Sequence, residues 1–309
     1  MSDSIIKLSS TDRKRFGEIQ KQLLAWYKIN RREFSWRMKI RHPYEVLVCE
    51  VMGQQTQASR IEQFLPRFLK RFPTIQALSS AKKSDVIREW QGLGYNRRAL
   101  NLQRAAVELV NKPFPKTTEE LLKLPGIGHY TANAVLIFAY NKPLATIDVN
   151  IERVISRLFK KMPDVNSMLP KNDIIQIAEA ILPAKQSRLW HEALMDFGAA
   201  ICTKRSPQCS ECLLYKECKS GKVLIKKTKI EPKKSYQETI YFGHPKRIWR
   251  GKVLKIISQN NGVKESQIIN TLLSNENKQD LKTFMRNVLS DLVKEGFCEI
   301  NKNNIYRLS

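Results

Sequence analysis

Apolar residues recur along this chain at helical intervals. Ile61, Phe64, Leu65, Phe68 and Leu69 fall on one helix face, and Ile151, Val154, Ile155, Leu158 and Phe159 on another. Prolines and glycines punctuate at Pro43, Pro66, Pro73, Gly92, Gly94, Pro113, Pro115, Pro125, Gly126, Gly128, Pro143 and Pro163, a spacing suited to helices of ordinary length. No long alternating strand precedes residue 235, so the chain to about residue 218 is expected to be all-α. The stretch Lys219–Lys234 holds seven lysines against one glutamate and has no apolar period, which predicts a basic linker over 221–235.

Order is expected to resume from 236. Val253, Leu254, Ile256 and Ile257 predict one helix, Ile268, Ile269, Leu272 and Leu273 a second. Leu281, Phe284, Met285, Val288, Leu289, Leu292 and Val293 predict a third, which Gly296 stops. Phe297–Leu308 then reads as two short strands around Asn301–Asn304. Three helices and a hairpin outline a winged helix, a module that binds DNA or serves as a packing unit.

At 309 residues the chain can hold two modest domains. Its 42% hydrophobic and 27% charged content are those of a globular protein, and no apolar run approaches a bilayer span. The first residues lack a signal-peptide core, so an intracellular protein of the cytoplasm or nucleoid is expected, without membrane association and as a monomer. Charge changes the picture more. With 54 Lys+Arg against 29 Asp+Glu the net charge is +25, which favours a polyanionic partner, nucleic acid foremost.

Cys202, Cys209, Cys212 and Cys218 form a C-x6-C-x2-C-x5-C run in a short polar stretch. Such a run satisfies a four-coordinate zinc or an iron–sulfur cluster, and spacing alone does not separate them. Cys49 and Cys298 stand alone in apolar stretches, and a disulfide scaffold does not suit so long a chain. Leu124-Pro125-Gly126-Ile127-Gly128 is a glycine hairpin opening into a helix from Tyr130 to Ala139. Its exposed N–H groups and the helix N-terminus suit a phosphate.

Taken together, Leu-Pro-Gly-Ile-Gly-His-Tyr-Thr-Ala-Asn, then Thr146-Ile147-Asp148-Val149-Asn150, then the four cysteines resemble the helix–hairpin–helix DNA glycosylase superfamily. Trp36, Glu50-Val51-Met52-Gly53-Gln54-Gln55-Thr56-Gln57 and Gly92-Leu93-Gly94-Tyr95 resemble its MutY-type adenine glycosylases, and the match covers about residues 16 to 218. The resemblance implies a six-helix domain over 31–139, an iron–sulfur domain over 1–30 and 140–220, and a [4Fe-4S] cluster on the four cysteines. A winged-helix-like α+β module would occupy 236–309.

The implied chemistry removes adenine mispaired with 8-oxoguanine or guanine in double-stranded DNA. It needs an acid to protonate the leaving base and an anion to face the developing oxocarbenium ion. Glu50 sits in the apolar run Val46–Met52, where burial favours the protonated form an acid needs. Asp148 stands before a helix, where a cap and a stabilising anion share one position. A surface glutamate and a plain capping aspartate would occupy the same two places.

By the same resemblance Arg32, Trp36, Glu192 and Asn150 line the base pocket with Tyr130. Gln54, Gln55, Thr56, Tyr95, Arg98, Gly126, Gly128 and His129 meet DNA, with Gln55 and Tyr95 as wedges. Tyr130 replaces the lysine of the bifunctional branch, which implies a monofunctional enzyme. Glu192 and Gln54-Gln55 favour adenine. Thymine or uracil opposite guanine is the alternative, and a non-catalytic DNA-binding iron–sulfur protein a third. Gly53 departs from the bulky apolar residue of the family, and Val149 from its glycine. The stretch after 235 is short for the Nudix-related domain with which many relatives read 8-oxoguanine.

Overall fold

The structure, a computed structural model, describes residues 10–39, 42–225, 238–260, 262–272 and 279–309. The expected linker therefore lies largely outside the described residues. Helices α1 (Ser10–Asn30), α2 (Ser35–Lys39) and α3 (Pro43–Gly53) come first. α4 (Ala58–Arg71), α5 (Ile75–Ser79), α6 (Lys83–Trp90), α7 (Arg97–Leu109) and α8 (Thr118–Leu122) follow. Next are α9 (His129–Tyr140), α10 (Val149–Phe159), α11 (Lys171–Ala180), α12 (Ser187–Ala200) and α13 (Gly221–Ile225). The carboxyl-terminal part runs β1 (Ile240–Tyr241), β2 (His244–Pro245), α14 (Lys246–Gln259), β3 (Val263–Lys264), α15 (Glu265–Leu272), α16 (Gln279–Lys294), β4 (Cys298–Ile300) and β5 (Ile305–Leu308). No described residue before Ile240 is in a strand, as the helical periodicity predicts. Among the described residues no helix is long and apolar enough to cross a membrane.

The fold is mostly α-helical with a small β module, and it divides into two compact units. One gathers Met1–Leu47, Pro115–Leu122 and Ile127–Lys233; the other Val48–Phe114, Lys123–Gly126 and Lys234–Ser309. In the first unit the core is built from three helical stripes. Phe16, Ile19, Leu23 and Tyr27 of α1 meet Ile151, Val154, Ile155 and Leu158 of α10 and Trp190, Ala193, Leu194 and Phe197 of α12. Gly198 lets α10 and α12 approach closely, since a Cβ there would stand 2.8 Å from that of Asn150.

In the second unit Ile61, Leu65 and Phe68 of α4 form the buried face, and Phe68 packs edge-on against Trp90 of α6. Pro66 sits inside α4 and does not punctuate it. The buried stripe on either side carries the helix past the missing N–H.

The same unit holds the carboxyl-terminal module. Three helices and the β4–β5 hairpin follow in the order read from the sequence, and Gly296 ends α16 in the left-handed region at φ +76. The sheet order is β3-β5-β4, with Val263 opposite Tyr306 and Ile300 opposite Tyr306 on the other side. The two-residue strands β1, β2 and β3 are too short to leave an alternating pattern. The module shares one core with the middle of the chain: Trp249, Val253, Leu254 and Ile257 of α14 cluster with Ile87 of α6 and Leu100 of α7. Gln91 Nε2 also donates to Ser258 Oγ at 2.7 Å.

Candidate functional site

In the first unit Asp148 is the N-cap of α10. Its Oδ1 accepts from the backbone N–H of Asn150 (2.9 Å) and Ile151 (2.7 Å), and its Oδ2 from Asn150 Nδ2 (2.8 Å). Three donors and the positive end of the helix fix the carboxylate in one orientation. Asn150 Oδ1 accepts in turn from Arg153 Nη2 (2.8 Å), and Arg153 Nε donates to the Cys202 carbonyl (2.7 Å). A hydrogen-bonded chain thus runs from the carboxylate to the cysteine loop. Burial lowers the pKa of Arg153.

The segment before Asp148 is held from α12. His191 is buried; its Nε2 accepts from the Thr146 N–H at 3.1 Å while Nδ1 faces the Ser187 carbonyl at 2.6 Å. Burial lowers its pKa, which favours the neutral ring these contacts require. Thr146 Oγ1 reaches the carbonyl of Tyr130 at 3.3 Å, and the Tyr130 side chain is 37% exposed.

Also on α12, Glu192 is buried. Its Oε2 accepts from Tyr27 Oη (2.8 Å) and its Oε1 from Arg188 Nε (3.4 Å). Burial, then the neighbouring carboxylate, raises the Tyr27 pKa and keeps the phenol a donor. One turn on, Asp196 is fully buried and takes the Arg32 N–H (2.9 Å), Arg32 Nε (2.6 Å), Arg37 Nη1 (2.7 Å) and Arg37 Nη2 (3.0 Å). Burial opposes its charge, but the arginines outweigh it and its pKa lies below the usual value. Asp196 therefore anchors the segment 32–37, where Trp36 stacks on Phe34 at 4.4 Å and both guanidinium groups lie 5.1 Å from the Phe34 ring.

Four cysteines of this unit, Cys202, Cys209, Cys212 and Cys218, line one cavity with Arg157, Phe197, Tyr215 and Leu224. Arg157 is buried. Its Nη1 lies 3.4 Å from Cys202 Sγ and 2.7 Å from the Thr203 carbonyl, while its Nε has no acceptor among the described residues. Among the described residues no three His, Cys, Asp or Glu side chains are arranged to hold a single metal ion. Cys49 and Cys298 are buried in apolar surroundings, as their flanking residues predict.

In the second unit Glu50 is half-buried in α3 among Val48, Cys49, Val51 and Met52, which are buried. Gln55 and Tyr95 both adopt left-handed backbone, φ 55 and φ 45, at the tips of two loops, and Tyr95 is 52% exposed. Arg98 joins the loops. Its Nη1 donates to the carbonyls of Val51 (3.1 Å), Met52 (2.9 Å) and Gln54 and to Thr56 Oγ1 (3.1 Å); its Nη2 donates to Leu93 (3.3 Å) and Gly94 (2.9 Å). Burial brings its pKa down to about 10, which leaves it charged at neutral pH. It caps the negative end of α3 and clasps both loops.

Gln54 Nε2 reaches the Gly126 carbonyl at 3.5 Å. Gly126 has φ +77, and a Cβ there would meet Asn101 at 2.9 Å, so the hairpin requires glycine. Gly128 is the N-cap of α9, with His129 exposed in its first turn.

Sequence reasoning missed Asp196, His191, Arg153 and Arg157. Each is a polar residue in an apolar helical run, a signal that a buried partner exists without saying which.

A family model described as HhH-GPD superfamily base excision DNA repair protein matches residues 48–168. The chain is 37% identical over 196 residues to an adenine DNA glycosylase of Mycolicibacterium smegmatis, covering 62% of this chain and 66% of that protein. An adenine DNA glycosylase of Buchnera aphidicola subsp. Schizaphis graminum is 32% identical over 248 residues, 74% of this chain and 71% of its own. The chain spans slightly less than two thirds of the mycobacterial relatives. Among solved structures, a thermostable thymine-DNA glycosylase superposes with TM-score 0.63 at 29% identity, over 69% of this chain and 99% of that one. Endonuclease III in a non-covalent complex with DNA shares the fold, with TM-score 0.58 and 24% identity over 70% of this chain and 98% of that one.

Proposed function

The chain belongs to the HhH-GPD superfamily of base excision DNA repair proteins, among its adenine DNA glycosylases, and from that premise we propose that it removes adenine mispaired with 8-oxoguanine or guanine in duplex DNA, leaving an abasic site. The observation that carries this reading is the Asp148 carboxylate, gripped by two backbone amides and the Asn150 side chain. A departing purine leaves positive charge on the deoxyribose, and an anion already fixed in place stabilises it without reorganising.

Glu50 is the acid in this scheme. Its proton goes to the purine, the electron pair of the glycosidic bond leaves with the base, and water adds at the sugar, its released proton restoring the Glu50 acid. The base edge is hidden in a stacked duplex, so the nucleotide must be everted. Gln55 and Tyr95, on tips clasped by Arg98, fill the vacated stack. Gln54, Thr56, Gly126, Gly128 and His129 complete the DNA contacts. Arg32, Trp36, Asn150 and Glu192 receive the base, and each Glu192 oxygen keeps a lone pair for the exocyclic amine of adenine. Tyr130 offers a phenol where a lyase needs an amine, so the strand is not nicked.

The cysteine loop fits a [4Fe-4S] cluster. Four thiols line one cavity, and the buried Arg157 Nε beside them needs an acceptor. Cys202, Cys209, Cys212 and Cys218 would be the ligands, and the cluster, when bound, would cross-link the loop they span. The domain division read from the sequence belongs to the same proposal, as does a monomer acting on DNA inside the cell.

A second reading, thymine or uracil removal opposite guanine, is favoured by the likeness to the thymine-DNA glycosylase. Incubation with A:8-oxoguanine, A:G, T:G and U:G duplexes, followed by alkali cleavage of abasic sites, separates the two. Product from the A-containing duplexes is expected. Product only from T:G or U:G overturns the adenine assignment, and none from any duplex overturns the enzyme.

A further inference from the structure

Helix α14 carries Lys246, Arg247, Arg250, Lys252 and Lys255 and no acidic residue. Three of these cations pair with acids of the module: Lys246 with Asp291 at 2.8 Å, Arg247 with Glu238 at 2.8 Å, and Arg250 with both oxygens of Glu295 at 2.7 and 2.8 Å. The exposed Arg247–Glu238 pair is open to water and yields readily to a phosphate. Opposite the buried face of Trp249, Val253 and Ile257 runs an exposed row four residues apart, Arg247, Gly251, Lys255 and Gln259. Gly251 has nothing within 4 Å of where a side chain would begin, so the row is a basic ridge with a notch at its middle.

The position of this ridge is set by packing. α14 shares a core with Ile87 and Leu100, on the two helices that flank the loop bearing Tyr95, and Gln91 of that loop bonds Ser258. Glu238, paired with Arg247 at 2.8 Å, and at longer range Tyr95 favour the charged form of Arg247.

We propose that the Arg247–Gly251–Lys255 face of α14 is a second DNA-binding surface, gripping backbone phosphates of the duplex beside the position of Tyr95. The inference rests on the reading of the protein as a duplex-binding glycosylase. Two cations one helical turn either side of an uncovered backbone match a phosphate strand, which needs charge and close approach but no base-specific donor. The occupant is DNA, whose regularly spaced phosphates make binding to such a face depend on salt.

The test is fluorescence anisotropy of a labelled undamaged duplex and of an A:8-oxoguanine duplex, titrated with the full-length protein at several salt concentrations. The variants are Arg247→Gln with Lys255→Gln, and separately Gly251→Glu, which fills the notch with an anion. Thermal melting monitors folding. Loss of two phosphate contacts lowers the slope of log affinity against log salt by about 1.8. Gly251→Glu is expected to weaken both duplexes at least tenfold at low salt. Unchanged slope and affinity in both variants, with melting preserved, overturns the surface. Excision by the wild-type protein is scored separately: a changed slope without excision keeps the surface and sinks the enzyme, and the reverse result does the opposite.

Discussion

Nη1 of Arg98 lies 2.9 Å from the carbonyl oxygen of Met52, so a side chain of α7 closes the last turn of α3. The same guanidinium reaches Gly94, one residue before Tyr95. Arg98→Met strands these buried carbonyls, and a stability loss on the order of 3 kcal/mol is expected in urea unfolding. Hydrogen exchange should quicken in both 54–56 and 93–95. Arg98→Lys keeps the charge but lacks the fork, and should recover less than half of the loss. Protection unchanged in either loop would show the clasp to be dispensable.

Glu50→Gln is expected to abolish excision while duplex affinity stays within a few fold. Asp148→Asn should slow single-turnover excision severely and cost about 1 kcal/mol through the cap of α10. Melting curves separate the two effects of Asp148→Asn, and turnover retained by Glu50→Gln removes that residue from the acid role.

Stability should fall on acidification in two windows. The folded pKa of His191 lies below its ordinary value of 6.5, so the unfolded chain binds the proton first. Its contribution is fully present above about 6.5 and is lost as the pH falls below that value. Asp196, also depressed, contributes above its ordinary 3.8 and loses this as the pH drops further. In melting series from pH 8 to 3, His191→Gln should flatten the first decline and leave the second.

Purified protein is expected to be brown, with four irons per chain by metal analysis. Cys209→Ser should lose the visible absorbance. Stoichiometric zinc without iron would replace the cluster by a zinc loop.

Gly198→Ala drives a methyl group to 2.8 Å from Asn150 Cβ, on a residue that orients Asp148. Overpacking of this kind costs about 1–3 kcal/mol. Excision should slow more than duplex binding weakens. Equal losses in both would mean that Asn150 only packs.

Much of this was legible in the sequence where the cause is local. The stripe of α10, its Asp148 cap, the glycine turn at 126–128 and the helix–helix–helix–hairpin order after 245 all follow from neighbours within a few residues. The two-residue strands were not, because they are defined by pairing with distant partners such as Val263 with Tyr306. Nor was Pro66 within α4, where the packing of Leu65 and Phe68 overrides the residue's preference. Asp196 could be flagged only as a charge at an apolar position, and Arg98, expected to meet DNA, is instead buried against backbone carbonyls. Their partners stand at Arg32, Arg37, Met52 and Gly94, and spacing does not reveal contacts that the fold alone creates.

The shared core of Ile87 and Leu100 with α14 also orders events during synthesis. A ribosome that has made α6 and α7 adds about 140 residues more before it reaches Trp249, a delay of roughly 7–30 s. For that interval one apolar flank of the nascent protein has no cover. A product that stops before α14 keeps the flank open for good, which makes early termination a route to aggregation and not to a smaller working enzyme.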